Sequence, residues 1–223
     1  MTMITYANRA EAAAGVATTL AEALRAVLAQ QDRATLAVPG GTTPGPVFDA
    51  LSLEVLDWNR VCVLATDERW VPLDDPRSNA RLIRERLLQG PAQAAHLVPF
   101  FTGAASPEPA LPALARALDP VLPVSVLLLG MGADMHTASL FPGVAGLDAA
   151  LAPEAPPVAV LRPESQPEAR LSLTAPVLNA AVHKHLLIFG QDKRAALDRA
   201  QDLPATEAPI AAVLDNLTRH WAD

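Results

Sequence analysis

Four short apolar runs, Thr35–Val38, Val61–Ala65, Val124–Leu129 and His185–Phe189, are separated by segments with apolar residues every three or four positions. Each run ends in glycine, proline or a polar cluster, the pattern of a buried strand. The clearest helical stretch is 8–29, where Val16, Leu20, Ala23, Leu24, Val27 and Leu28 share one face. Thr43 suits a helix cap and Pro44 a first helical position, for a helix running to about Leu53. Further helices are expected over 80–88 after Ser78-Asn79, near 107–118, over 173–181 and over 192–200. A short strand over 158–161 is expected inside the proline-rich stretch 153–167, and 209–223 fits neither class clearly. Strands alternating with helices imply an α/β fold, a mostly parallel sheet with helices on both faces.

Composition agrees with one compact domain over residues 1–223, 51% apolar and 18% charged, which excludes a disordered chain. The net charge is −7 and the 17 basic residues are scattered, so no nucleic-acid or anionic-membrane surface is expected. No stretch reaches 18 uncharged apolar residues, and Met1 to Arg9 lacks the basic-then-apolar pattern of a leader. A cytoplasmic location is expected, with the oligomeric state left open, a monomer included. The lone cysteine, Cys62, allows neither an internal disulfide nor a multi-cysteine metal site and reads as core.

In an open parallel sheet, ligands sit beyond the carboxyl ends of the strands. Four loops leave strand ends there with chemically capable residues: Gly40-Gly41-Thr42-Thr43, Asp67-Glu68-Arg69, Gly130 to His136, and Gly190 to Lys193. The first lets a backbone approach an anion at a helix start, or is simply a tight turn with a Thr cap. In the third, Asp134 and His136 lie two apart. Either Asp134 orients an imidazole that accepts a proton from water, or it caps a helix beside a histidine that is merely hydrogen-bonded. Asp67-Glu68-Arg69 is a cleft segment or a solvated charge run. Arg170 and Lys193 suit a phosphate clamp but read equally as surface cations. His183 and His185 have metal-ligand spacing without a third ligand, which favours a structural role. His96 and His220 have no evident partners.

Taken together, these segments resemble the family of 6-phosphogluconolactonases and glucosamine-6-phosphate isomerases. The matching stretches are Pro39-Gly40-Gly41-Thr42-Thr43-Pro44, Thr66-Asp67-Glu68-Arg69-Trp70-Val71-Pro72 with Ser78-Asn79, Gly130-Met131-Gly132-Ala133-Asp134-Met135-His136-Thr137-Ala138-Ser139-Leu140-Phe141-Pro142-Gly143, and Arg170-Leu171-Ser172-Leu173-Thr174 with Gly190-Gln191-Asp192-Lys193. The resemblance implies a modified Rossmann-like fold and cofactor-free, metal-free chemistry on a small sugar phosphate. It implies that Gly40, Gly41, Thr42, Thr43, Arg170 and Lys193 hold the phosphate. It makes His136 a general base, Asp67 and Asp134 active-site acids, and Arg69 and Asn79 cleft residues. The isomerase branch carries a glutamate where this chain has Phe141, so the resemblance favours the lactonase branch: hydrolysis of 6-phospho-D-glucono-1,5-lactone in the pentose phosphate pathway. An isomerase or deaminase, and a non-catalytic sugar-phosphate sensor, are the rival readings. One departure stands out: the family usually has glycine where Met135 lies, and a positive φ there would strain a methionine.

Overall fold

A computed structural model describes residues 3–164 and 166–223. In chain order the elements are β1 (Met3–Thr5), α1 (Arg9–Leu28), β2 (Ala34–Val38), α2 (Gly45–Ser52), β3 (Val61–Ala65), β4 (Asp67–Arg69), α3 (Asn79–Leu82), β5 (His96–Leu97), α4 (Leu111–Leu118), β6 (Val126–Leu129), α5 (Leu147–Leu151), β7 (Val158–Leu161), β8 (Arg170–Leu173), α6 (Ala175–Asn179), β9 (His183–Phe189), α7 (Gln191–Ala200) and β10 (Leu217–Ala222). Among the described residues, no helix is long and apolar enough to cross a membrane.

Seven strands form one sheet in the order β1-β10-β9-β6-β2-β3-β5. Every pairing in it is parallel. Side chains alternate across each strand, and the two faces bury separate cores. Leu36, Val38, Val63, Val126 and Leu128 join α1 and α2 on one face. Ala37, Leu64, Leu127, Leu129, Leu186 and Ile188 join α4, α6 and α7 on the other. α1 begins where Asn8 turns extended and its Oδ1 accepts the Glu11 N–H at 2.9 Å. From β2 the chain moves outward through β3 to β5, then crosses back to lay β6 on the other side of β2. That reversal opens a crevice at the carboxyl ends of β2 and β6.

The structure departs from the sequence reading at several elements. Residues 170–173 are a strand, and only 175–179 are helical. β8 is buried at every position, so it shows no alternation, and Pro176 fixes the helix start after it. β4, β8 and β7 form a second, antiparallel sheet, so the loop expected over 67–69 is itself a strand. The helix expected over 80–88 ends at Leu82 and widens into a π-turn, Ile83–Leu87. The segment 217–222 is the strand β10, its apolar signal interrupted by Arg219 and His220.

The two core histidines explain themselves. Tyr6 Oη lies 2.8 Å from His220 Nδ1, and His220 Nε2 lies 3.2 Å from His185 Nδ1. Burial first, and a neighbouring imidazole second, pushes both histidines down to about 4. The unfolded chain protonates them below about pH 6.5, while the folded chain resists until about 4. The stability gained by keeping them neutral is complete above pH 6.5. It drains away as pH falls towards 4, by up to about 1.4 kcal/mol per pH unit for each imidazole. Thermal melts from pH 7 to 4 should therefore show a falling Tm, with a shallower slope in His185→Gln. Parallel slopes in the two proteins would refute the neutral-pair account.

Candidate active site

The crevice at the β2 and β6 ends holds a cavity of about 360 Å³. Gly40, Gly41, Thr42, Thr43, Asp67, Arg69, Asn79, His136, Arg170 and Lys193 all line it. Leu128, Leu129, Met131 and Leu187 give it an apolar floor. Asp134 is not among the lining residues but touches His136 from behind the cavity wall.

The first wall follows β2. Gly41 has φ +86°, a conformation that favours glycine. Gly40 sits so close to the Asn79 amide that a Cβ there would overlap it. Thr43 does not take the capping role expected of it: Pro44 stands at the cap of α2, with no side-chain hydrogen bond closing that end.

The second wall is cationic. Arg69 and Arg170 are register partners across the antiparallel β4–β8 pair. Arg170 is buried and hydrogen-bonds Gln166, while its Nε has no partner among the described residues. Burial lowers the Arg170 pKa, and the neighbouring Arg69 cation pushes the same way; Asp67 and Glu68 offset part of this. Lys193, in the first turn of α7, is also held below its ordinary value by burial, with Asp134 opposing and Arg9 assisting. Three cations converge on one cavity of a chain whose net charge is −7.

The third wall is the loop after β6. Thr137 Oγ1 donates to Gly130 O at 3.0 Å, and Gly132 N donates to His136 O at 3.0 Å, closing the loop on itself. No helix starts here, so the helix-cap reading of Asp134 fails. Asp134 Oδ1 instead lies 2.5 Å from His136 Nδ1. A neutral imidazole in that contact carries its proton on Nδ1 and its lone pair on Nε2. The Phe141 ring packs against the imidazole, centroids 4.3 Å apart and planes at 33°. Gly132 makes room for the pair, since a Cβ there would overlap both His136 and Asp134. Met135 has φ +66°, the strained alternative foreseen for it, at a cost of about 1–2 kcal/mol. Backbone bonds hold it: Met135 N donates to Gly132 O at 3.0 Å, and Ile210 N donates to Met135 O at 3.1 Å.

Several participants carried no role in the sequence reading. Ser139 Oγ donates to Asp67 Oδ2 at 2.6 Å, and Thr66 Oγ1 donates to Oδ1 at 3.2 Å. Ser139 N donates to Ser172 Oγ at 3.2 Å, tying the histidine loop to β8. Glu68, in the segment read as either a cleft segment or a solvated charge run, is 1% exposed and accepts four hydrogen bonds. Burial raises its pKa, and those bonds oppose the rise. Its place directly after a buried strand was the available signal.

The family model for "Glucosamine-6-phosphate isomerases/6-phosphogluconolactonase" matches residues 7–221. The 6-phosphogluconolactonase of Pseudomonas aeruginosa is 42% identical over 220 residues, 97% of this chain and 92% of the relative. A 6-phosphogluconolactonase crystal structure from Shewanella baltica superposes with a TM-score of 0.96 at 29% identity, covering 100% of this chain and 98% of that one. The crystal structure of a 6-phosphogluconolactonase described as putative, from Neisseria gonorrhoeae, has a TM-score of 0.90 at 34% identity, covering 100% of both chains.

The geometry of the third wall makes a direct prediction. In wild-type protein the His136 Nδ1 proton, shared with Asp134, should give a strongly deshielded NMR resonance. Gly132→Ala should abolish that resonance while leaving the backbone spectrum of the sheet unchanged. A resonance that survives would mean the loop accommodates the methyl group without moving the pair.

Proposed function

The chain belongs to the glucosamine-6-phosphate isomerase/6-phosphogluconolactonase family, and we propose that it acts as a 6-phosphogluconolactonase, hydrolysing 6-phospho-D-glucono-1,5-lactone to 6-phosphogluconate in the pentose phosphate pathway. One observation carries the reading at the level of chemistry. A histidine bonded through Nδ1 to Asp134 lines the same cavity as a glycine-threonine loop and three cations. A proton acceptor and an anion cradle in one cleft suit a neutral ester attached to a phosphate.

The phosphate rests against the Gly40–Thr43 backbone and hydroxyls, gripped by Arg170 and Lys193 through charge-assisted hydrogen bonds. This sets the lactone C1 near His136. His136 Nε2 takes a proton from water as the water oxygen bonds to C1, and the carbonyl oxygen gains the negative charge. Asp134, on Nδ1, stabilises the imidazolium that results. Arg69 or the backbone N–H groups near Gly132 stabilise the oxyanion. As the tetrahedral centre collapses, the C1–ring oxygen bond breaks and His136 returns its proton to the departing oxygen. Asp67, its carboxylate held by Ser139 and Thr66, and Asn79 accept hydrogen bonds from sugar hydroxyls. Phe141 supports hydrolysis over isomerisation, because an apolar ring stands beside His136 where isomerisation calls for a second acid–base group. The free Cys62, buried in β3, suits the reducing conditions of the cytoplasm.

The test is proton release from freshly prepared phosphorylated lactone, corrected for spontaneous hydrolysis. His136→Gln should lower kcat by about 10²–10⁴-fold with little change in KM. Lys193→Ala should act mainly on KM, raising it roughly tenfold or more through loss of a charged hydrogen bond. Near-wild-type turnover in His136→Gln would remove the general-base role, and release of fructose 6-phosphate from glucosamine 6-phosphate would favour the isomerase branch.

A further inference from the structure

We propose that Glu68 is the positioning residue that fixes the spacing between the anion-holding loop after β2 and the Arg69 guanidinium; its bearing on catalysis rests on the lactonase reading above. Glu68 sits between two residues that face the cavity, Asp67 and Arg69, yet its own side chain points away from it. Its carboxylate accepts from four donors contributed by two segments. Oε1 takes the Arg69 N–H at 2.8 Å and the Asn79 N–H at 2.7 Å. Oε2 takes the Ala80 N–H at 2.8 Å and the Ser78 hydroxyl at 3.0 Å. Only an ionised carboxylate offers lone pairs to four donors without a donor of its own.

The consequences run in two directions from that carboxylate. Through Arg69 N it sets the backbone from which the guanidinium departs, and the guanidinium in turn hydrogen-bonds Asn79 Oδ1. Through Asn79 N it seats the start of α3, and Asn79 Nδ2 then donates back to Asp67 O at 2.7 Å. The Asn79 amide lies directly against Gly40, in the space a Cβ would fill. Among the described residues, Glu68 is therefore the one side chain bonded to the backbones of both Arg69 and Asn79. Asn79 carries the constraint to the Gly40–Thr43 loop. A buried anion held this way contributes little net stability compared with an apolar filling, which argues for a role in geometry.

Glu68→Gln keeps the shape but turns a donor towards the Ala80 N–H, so one buried donor pair is forced apart. The expected result is a fall in kcat/KM of about tenfold to a hundredfold, the scale of an ångström-level misplacement. Because one of the two routes acts through Arg69, the loss should be several-fold smaller in an Arg69→Ala background, with the remainder reaching the Gly40–Thr43 loop through Asn79. It should multiply undiminished in a Lys193→Ala background, whose side chain lies outside the network. Equal losses in both backgrounds, or a lowered Tm with wild-type kcat/KM, would overturn the proposal. Ser78→Ala, which removes one of the four donors, should reproduce the pattern at smaller amplitude and serves if Glu68→Gln does not fold. A crystal structure of whichever variant folds decides the matter without turnover. Displacement of Arg69 and Asn79 relative to Gly40 supports the proposal, and unchanged positions refute it, even if the wild-type chain hydrolyses no lactone.

Discussion

Two guanidinium groups placed opposite one another on neighbouring antiparallel strands set the terms for this cavity. Arg69 and Arg170 are direct register partners, and such positions bring Cβ atoms to about 4.5–5.5 Å. Like charges at that separation destabilise a sheet, the more so when one of them is buried. Asp67 and Glu68 oppose that repulsion. An anion in the cavity would oppose it further. Ligand binding and the integrity of the small antiparallel sheet are thus coupled, since whatever binds only the folded form stabilises it. In a chain of net charge −7, three cations gathered in one cleft make it a place where an anion is attracted.

Much of this was readable in the amino-acid order. β2, β3, β6 and β9 are apolar runs closed by glycine or polar residues, and their parallel pairing follows from the helices between them. Parallel pairing alone brings the Gly40, Gly130 and Gly190 loops to one edge. The second sheet was not readable. β8 has no buried and exposed sides to alternate, because the core takes Leu171 and Leu173 while Arg170 and Ser172 are buried by other contacts. β4 is three charged residues whose strand character comes only from pairing with β8. Glu68 escaped for a related reason: local sequence tells that a carboxylate exists, and only the return of the chain ten residues later supplies its donors.

The histidine loop shows where local preference was overruled. Met135 and Ala138 both adopt positive φ, +66° and +49°, on either side of His136-Thr137. Neither residue favours that region, so the surroundings must impose it. They do so through Gly132 and Ile210 on Met135, and through the Thr137–Leu140 bridge and the Ser139 bonds beyond Ala138. A loop over-determined in this way has few alternative conformations to give up when a ligand arrives, which is the physical content of preorganisation.

The two aspartates of the site differ in a way that separates their roles. Asp67 is buried, and each of its oxygens already accepts from a hydroxyl, Oδ1 from Thr66 and Oδ2 from Ser139. Its orientation is fixed by β4 and by the histidine loop together, so it behaves as part of the wall. Asp134 is half exposed and commits a single oxygen to the imidazole. A carboxylate placed there accepts the ring N–H without forming part of the cavity lining. An exposed Asp67 would lose the bonds that join β4 to the loop. The sorting of one carboxylate into the wall and the other behind the ring is therefore set by burial and hydrogen-bond supply, which sequence spacing alone does not show.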